Sequence, residues 1–141
     1  MPGIVGLGKA IELATLNIEE HNKNVSFLRD SLLNEIKQNI KDIVINADIK
    51  EKLPGNISLS IKGIDAKNLL LLLDMNGICL SSGSACNSSV TMPSHVLKAM
   101  GIDEKDALST IRISLGDGNT IQDIKYISYV LQNAVSKLRN E

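Results

Sequence analysis

The chain has 141 residues, 43% hydrophobic and 22% charged, with a formal net charge of −1; this describes one globular domain large enough for a core, without the charge that draws nucleic acid or anionic membranes. Its only aromatic residues are Phe27, Tyr126 and Tyr129, so the core must be aliphatic and a base-stacking platform is excluded. The longest apolar run, Leu69–Leu73, is far too short to cross a bilayer, and no signal-peptide pattern opens the chain, which predicts a cytoplasmic protein with neither nucleic acid nor membrane as partner.

From Ile4 to about Ile40 apolar residues recur at helical spacing: Leu7, Ile11, Ala14 and Ile18, then Val25, Leu28, Leu32 and Ile36. The pattern predicts a connecting helix region over 1–40, either one long helix or two joined near His21–Asn24, with His21 a surface histidine in the solvated stretch "EEHNKN". The pattern starts without a capping sequence, as though the chain were cut from something longer. Its "GIVGLG" lacks the preceding strand and the Lys-Ser/Thr of a phosphate loop.

"DIVINA" (42–47) reads as a short strand. "GNISLSIKG" (55–63) alternates Ile57, Leu59 and Ile61 with Ser58, Ser60 and Lys62, giving one buried face and one wet or covered by polar contacts. Asp65 is the expected N-cap of a helix through Ala66–Met75, stopped by Asn76-Gly77. "ICLS" (78–81) reads as a brief apolar strand, Pro93 as a first-turn residue of a helix in "PSHVLKAM", and Gly101 as its stop. "STIRISLG" (109–116) points Ile111, Ile113 and Leu115 inward and Thr110, Arg112 and Ser114 outward; a final amphipathic helix starts with Thr120 as N-cap and Asp123 in a capping box. The order predicts a single α+β domain over 1–141, a small, mostly antiparallel sheet covered by helices on one face.

Two cysteines separated by seven positions make neither a disulfide framework nor a zinc or C-x-x-C motif, and no metal-ligand spacing occurs elsewhere. Cys79, between Ile78 and Leu80, reads as a small buried hydrophobe. Cys86 stands in "SSGSACNSS" (81–89), a stretch without bulk. A loop with an incidental thiol and a thiolate free to reach a reagent both fit that composition. Arg112 has uncharged neighbours on its strand face and no adjacent acid; it suits either a surface position or bidentate capture of a carboxylate. His95, close to Cys86 in sequence, is open to a packing, capping or acid–base role.

Together, "LSSGSACNSS", "MPSHVLKAMG" and "STIRISLGDGNT", with "PGIVGLGKA" at the start, resemble the C-terminal portion of group I cysteine desulfurases of the NifS/IscS type, class V aminotransferases of pyridoxal-phosphate fold type I. The resemblance covers essentially the whole chain. It implies the small C-terminal domain of that fold, with a mobile cysteine loop over 81–92. Cys86 would take sulfur from L-cysteine, leaving alanine and a persulfide, and pass it to an iron–sulfur scaffold or another acceptor. Arg112 would hold the substrate carboxylate, and the complete enzyme would be a homodimer. The resemblance leaves room for Cys86 as a transient iron–sulfur ligand, with no resident metal. The Schiff-base lysine, the acid at the pyridine nitrogen and most phosphate contacts fall outside these residues, so the fragment alone is expected to bind no pyridoxal phosphate and to be inactive. Asn87 departs from the usual Thr or Ser. The rival expectation is a non-catalytic sulfur-carrier or scaffold-binding module; a class V lyase or epimerase would have no need of the cysteine loop.

Overall fold

A computed structural model describes residues 1–46, 53–82 and 93–140. In chain order the elements are α1 (Pro2–Leu16), α2 (Ile18–Asn39), β1 (Ile43–Ile45), β2 (Asn56–Ile61), α3 (Ala66–Asp74), α4 (His95–Ala99), α5 (Glu104–Leu108), β3 (Thr110–Ser114) and α6 (Ile121–Asn140). The strands form an antiparallel sheet in the order β1-β2-β3. The α+β expectation is met.

Register explains the core. Ile43 lies opposite Ile61, Ile45 opposite Leu59, Leu59 opposite Ile111 and Ile57 opposite Ile113. Period-two alternation therefore gathers these side chains on one face. Against that face pack Leu28, Leu32 and Ile36 of α2, Leu69 and Leu73 of α3, and Ile124, Leu131 and Val135 of α6. The core is aliphatic, and Phe27, Tyr126 and Tyr129 are exposed.

Local signals set several boundaries. Asp65 caps α3 by accepting from the Lys67 and Asn68 backbone N–H groups at 2.7 and 3.4 Å. Gly77 follows that helix at φ +73, a conformation glycine adopts without a Cβ penalty. At α6 the capping box is reciprocal: the Thr120 N–H donates to Asp123 Oδ2 at 2.8 Å, and the Asp123 N–H donates to Thr120 Oγ1 at 3.3 Å. Arg139 then fastens the far end of α6, donating to Lys41 O and Lys62 O at 2.9 and 2.8 Å.

Three expectations are corrected and one unexpected helix is added. The joint between the first helices is at Asn17, not within 21–24, and the Ile4, Leu7 and Ile11 side chains are exposed. Residues 78–80 form no strand: Ser81 alone makes an isolated bridge. Pro93 precedes the Ser94 N-cap and lies outside α4, because the helix begins only at His95. α5 had no counterpart in the pattern; five residues are too few to show a helical period, although Asp103 caps it through the Asp106 N–H at 2.8 Å.

The outer sheet face is partly sealed by a polar relay. Asn46 Nδ2 donates to Ser60 Oγ at 2.7 Å, Ser60 Oγ lies 2.7 Å from Thr110 Oγ1, and Thr110 Oγ1 donates to Asp106 O at 2.7 Å. Since the Thr110 proton goes to Asp106, Ser60 must donate to Thr110. All three side chains are buried. Ser60→Ala removes two buried hydrogen bonds and leaves Asn46 Nδ2 only its longer bond to Thr110 Oγ1 at 3.4 Å, and a loss of about 1–3 kcal/mol is expected in urea unfolding.

Gly55 is fixed by close approach. A Cβ there would collide with the Leu115 carbonyl and lie 2.6 Å from Val25 Cγ1. The Leu115 N–H donates to Gly55 O at 2.9 Å, so the backbones cannot part without losing a bond. Gly55→Ala is expected to cost about 1–3 kcal/mol, read as a lower urea midpoint.

Candidate functional site

Arg112 occupies the middle of β3, opposite Ser58 on β2. Its neighbours Ile111 and Ile113 are buried in the core, which directs Arg112 to the other face, where it is exposed. The guanidinium makes no hydrogen bond or ion pair with any described residue. On the same face lie Ser58, Ser60, Thr110 and Ser114, with Asn56 opposite Ser114. This is a fixed cation among small polar side chains, suited to a planar carboxylate in bidentate geometry.

The opposite edge of β3 is held by Ser81. The Arg112 N–H donates to Ser81 O at 2.6 Å, and the Ser81 N–H donates to Arg112 O at 3.2 Å. The root of the serine-rich segment is thereby tied to the residue that carries the guanidinium. Cys86 and the rest of the predicted loop over 83–92 lie outside the described residues.

One pleat along the same face, Ser114 and Asn56 enter a groove of about 650 Å³ between the sheet and the α1–α2 elbow. Leu13, Ala14, Ile18, Leu53, Pro54 and Leu115 give it apolar walls, and His21 and Asp117 stand at one end. His21 Nδ1 and Asp117 Oδ1 are 2.6 Å apart, joining α2 to the turn after β3. His21 is therefore a surface histidine with a specific partner 96 positions away in sequence, a contact invisible to local pattern.

Cys79 corrects the expectation made for it from the sequence. It is exposed, not a buried small hydrophobe, and its Sγ lies 3.6 Å from Asp74 Oδ1. Without a strand at 78–80 there is no alternation to turn it inward; Ile78 alone is buried. His95 is exposed at the start of α4 and bonds to no described residue through its ring. Among the described residues no three His, Cys, Asp or Glu side chains gather into a metal site, and no helix is long and apolar enough to cross a membrane.

Pyridoxal phosphate would require an amine for the imine, an acid facing its pyridine nitrogen and a phosphate cradle. The sheet face around Arg112 carries hydroxyls and amides instead; Lys62, just beyond β2, is paired with Asp106 at 3.6 Å. Among the described residues, the face around Arg112 offers a site for a carboxylate and does not assemble the groups this cofactor needs.

The chain is 45% identical over 139 residues to a cysteine desulfurase IscS of Clostridium botulinum, covering 97% of this chain and 35% of that protein. It is 44% identical over 140 residues to one from Methanosarcina thermophila, covering 99% and 34%. Among solved structures, a NifS-like protein superimposes with a TM-score of 0.84 at 31% identity, covering 97% of this chain and 34% of that one. A NifS-like protein from Rickettsia africae gives 0.83 at 32% identity, covering 94% and 34%. The chain thus spans about a third of the length of the relatives it matches. The aminotransferase class-V family model matches residues 1–127, and the chain belongs to that family.

Proposed function

We propose that these residues are the C-terminal small domain of a group I cysteine desulfurase, working in the cytoplasm as part of a homodimer. The observation that carries this reading is the open Arg112 guanidinium, bridged through its backbone to Ser81 at the root of the Cys86 segment. In the complete enzyme, pyridoxal phosphate held by the remaining polypeptide supplies the electron sink. Arg112 holds the carboxylate of L-cysteine, and Cys86 receives its sulfur.

The overall exchange balances without an added oxidant. The C–S bond of L-cysteine breaks, an S–S bond forms at Cys86, and the two thiol protons are retained, one on the β-carbon of the product alanine and one on the terminal persulfide sulfur. The persulfide is then taken by an acceptor thiol, for instance on an iron–sulfur scaffold protein. Among the described residues the strand face around Arg112 carries no lysine to form the imine, so the 141-residue chain is expected to turn over nothing by itself. A second reading, a non-catalytic sulfur carrier, draws on the same lack of cofactor groups around Arg112.

Two outcomes test the proposal. Supplied with L-cysteine and pyridoxal phosphate, the 141-residue chain should release no sulfide; in the complete enzyme Cys86→Ser should abolish sulfur transfer to an acceptor. Persistent transfer in that variant would remove Cys86 from the reaction, and a persulfide acquired by the separate chain from another desulfurase would favour the carrier reading. Arg112→Gln in the complete enzyme should raise KM for L-cysteine about 10- to 100-fold through loss of a charge-assisted carboxylate contact. Because Arg112 is exposed and bonds to no described side chain, the same change should leave the urea midpoint of the 141-residue chain nearly unmoved.

A further inference from the structure

Arg112 stands between two serines in a row that crosses the sheet, Ser58 on β2 and Ser81 beyond the opposite edge of β3. The two are not equivalent neighbours. Arg112 exchanges both of its backbone hydrogen bonds with Ser81, and pairs of that kind hold their Cα atoms about 5.5 Å apart. The Ser58 carbonyl instead accepts from the Asn46 N–H at 2.9 Å, on the side away from β3. Ser58 and Arg112 therefore form the closer kind of antiparallel pair, with Cα atoms about 4.5 Å apart and side chains next to each other.

The other polar side chains of this face are farther away or already committed. Ser60 and Thr110 give their hydroxyls to the relay that ends at Asp106 O. Asn56 lies on the diagonal from Arg112 and Ser114 two residues along its strand, each about 7 Å away. Ser58 is half-buried, and its hydroxyl bonds to no described residue. A serine oxygen accepts as readily as it donates.

A carboxylate met end-on takes one N–H from each terminal nitrogen of a guanidinium, which leaves Nε–H pointing sideways. Where a bound substrate shuts out water, that donor is costly to leave unpaired. The Ser58 and Arg112 side chains are neighbours that are not bonded to each other; a carboxylate that fixes the terminal nitrogens would turn Nε–H across the gap between the strands. We propose that Ser58 is the positioning residue of Arg112: its Oγ accepts from Nε–H and sets the plane of the fork that grips the substrate carboxylate. This rests on the carboxylate role given to Arg112 above. Ser58 acts through the guanidinium, so its loss weakens capture of L-cysteine without slowing the chemical step.

The test uses a polypeptide in which this chain replaces the matching 139-residue stretch of the Clostridium botulinum relative, assayed for sulfide release from L-cysteine. Ser58→Ala should raise KM about 3- to 10-fold while kcat stays within about twofold. Ser58→Thr, which keeps the hydroxyl, should restore KM. In an Arg112→Gln background Ser58→Ala should add less than about twofold, because the group it acts through is gone. The urea midpoint of the 141-residue chain should barely move in Ser58→Ala, which separates positioning from folding. An unchanged KM in Ser58→Ala beside a raised KM in Arg112→Gln overturns the proposal and leaves the carboxylate role standing. An equal rise with and without Arg112, or a rise that Ser58→Thr does not reverse, also overturns it. If Arg112→Gln itself leaves KM unchanged, the carboxylate role fails and the proposal with it. A hybrid that releases no sulfide defeats the desulfurase reading, and the same cycle is then read by calorimetric binding of L-alanine, which carries the same α-carboxylate. A Ser58→Ala loss of affinity that depends on Arg112 retains the pairing; equal losses, or none, overturn it.

Discussion

The pairing of β2 with β3 governs the rest of the structure. Five residue pairs, from Asn56 with Ser114 to Ser60 with Thr110, fix a register in which every second side chain enters the core. A slip of one residue would turn Ile111 and Ile113 to solvent and bury Arg112 beneath α2 and α6. Fully burying each such isoleucine contributes about 1.5–3 kcal/mol, so the alternative register is strongly disfavoured. The same register that builds the hydrophobic layer therefore keeps the guanidinium on the opposite surface.

That surface is divided by chemistry. Toward α5, Asn46, Ser60 and Thr110 satisfy one another and Asp106 O, so their burial leaves no stranded donor in the relay. Toward the groove, Ser58, Arg112, Ser114 and Asn56 are not built into that relay. Among the described residues, a half closed by its own hydrogen bonds and a half centred on Arg112 thus share one sheet. Both halves hold polar side chains; their partners distinguish them.

Much of this architecture is legible in local pattern because the responsible interactions are local. Alternation at Ile57, Leu59 and Ile61 places β2, the Asp65 cap opens α3, and Thr120 with Asp123 opens α6. Arg112 is legible as an outward residue for the same reason. What local pattern misses depends on distance in sequence or on elements too short to show a period. Cys79 looks like a strand residue between two aliphatics, but with only Ser81 paired to β3 no strand exists to orient it. His21 gives no sign of Asp117, and five-residue α5 gives little sign of itself. α1 is the instructive inverse: its helical period is correct, while the apolar character that suggests burial finds no core within the described chain.

The two peptide hydrogen bonds between Ser81 and Arg112 have a mechanical consequence. A pull on the segment following Ser82 passes first through this latch before it can be relieved elsewhere. Shear at the latch displaces the β3 backbone from which the guanidinium projects. Any displacement of Ser81 is therefore transmitted to the strand residue that carries the guanidinium, and the two positions move as one mechanical unit.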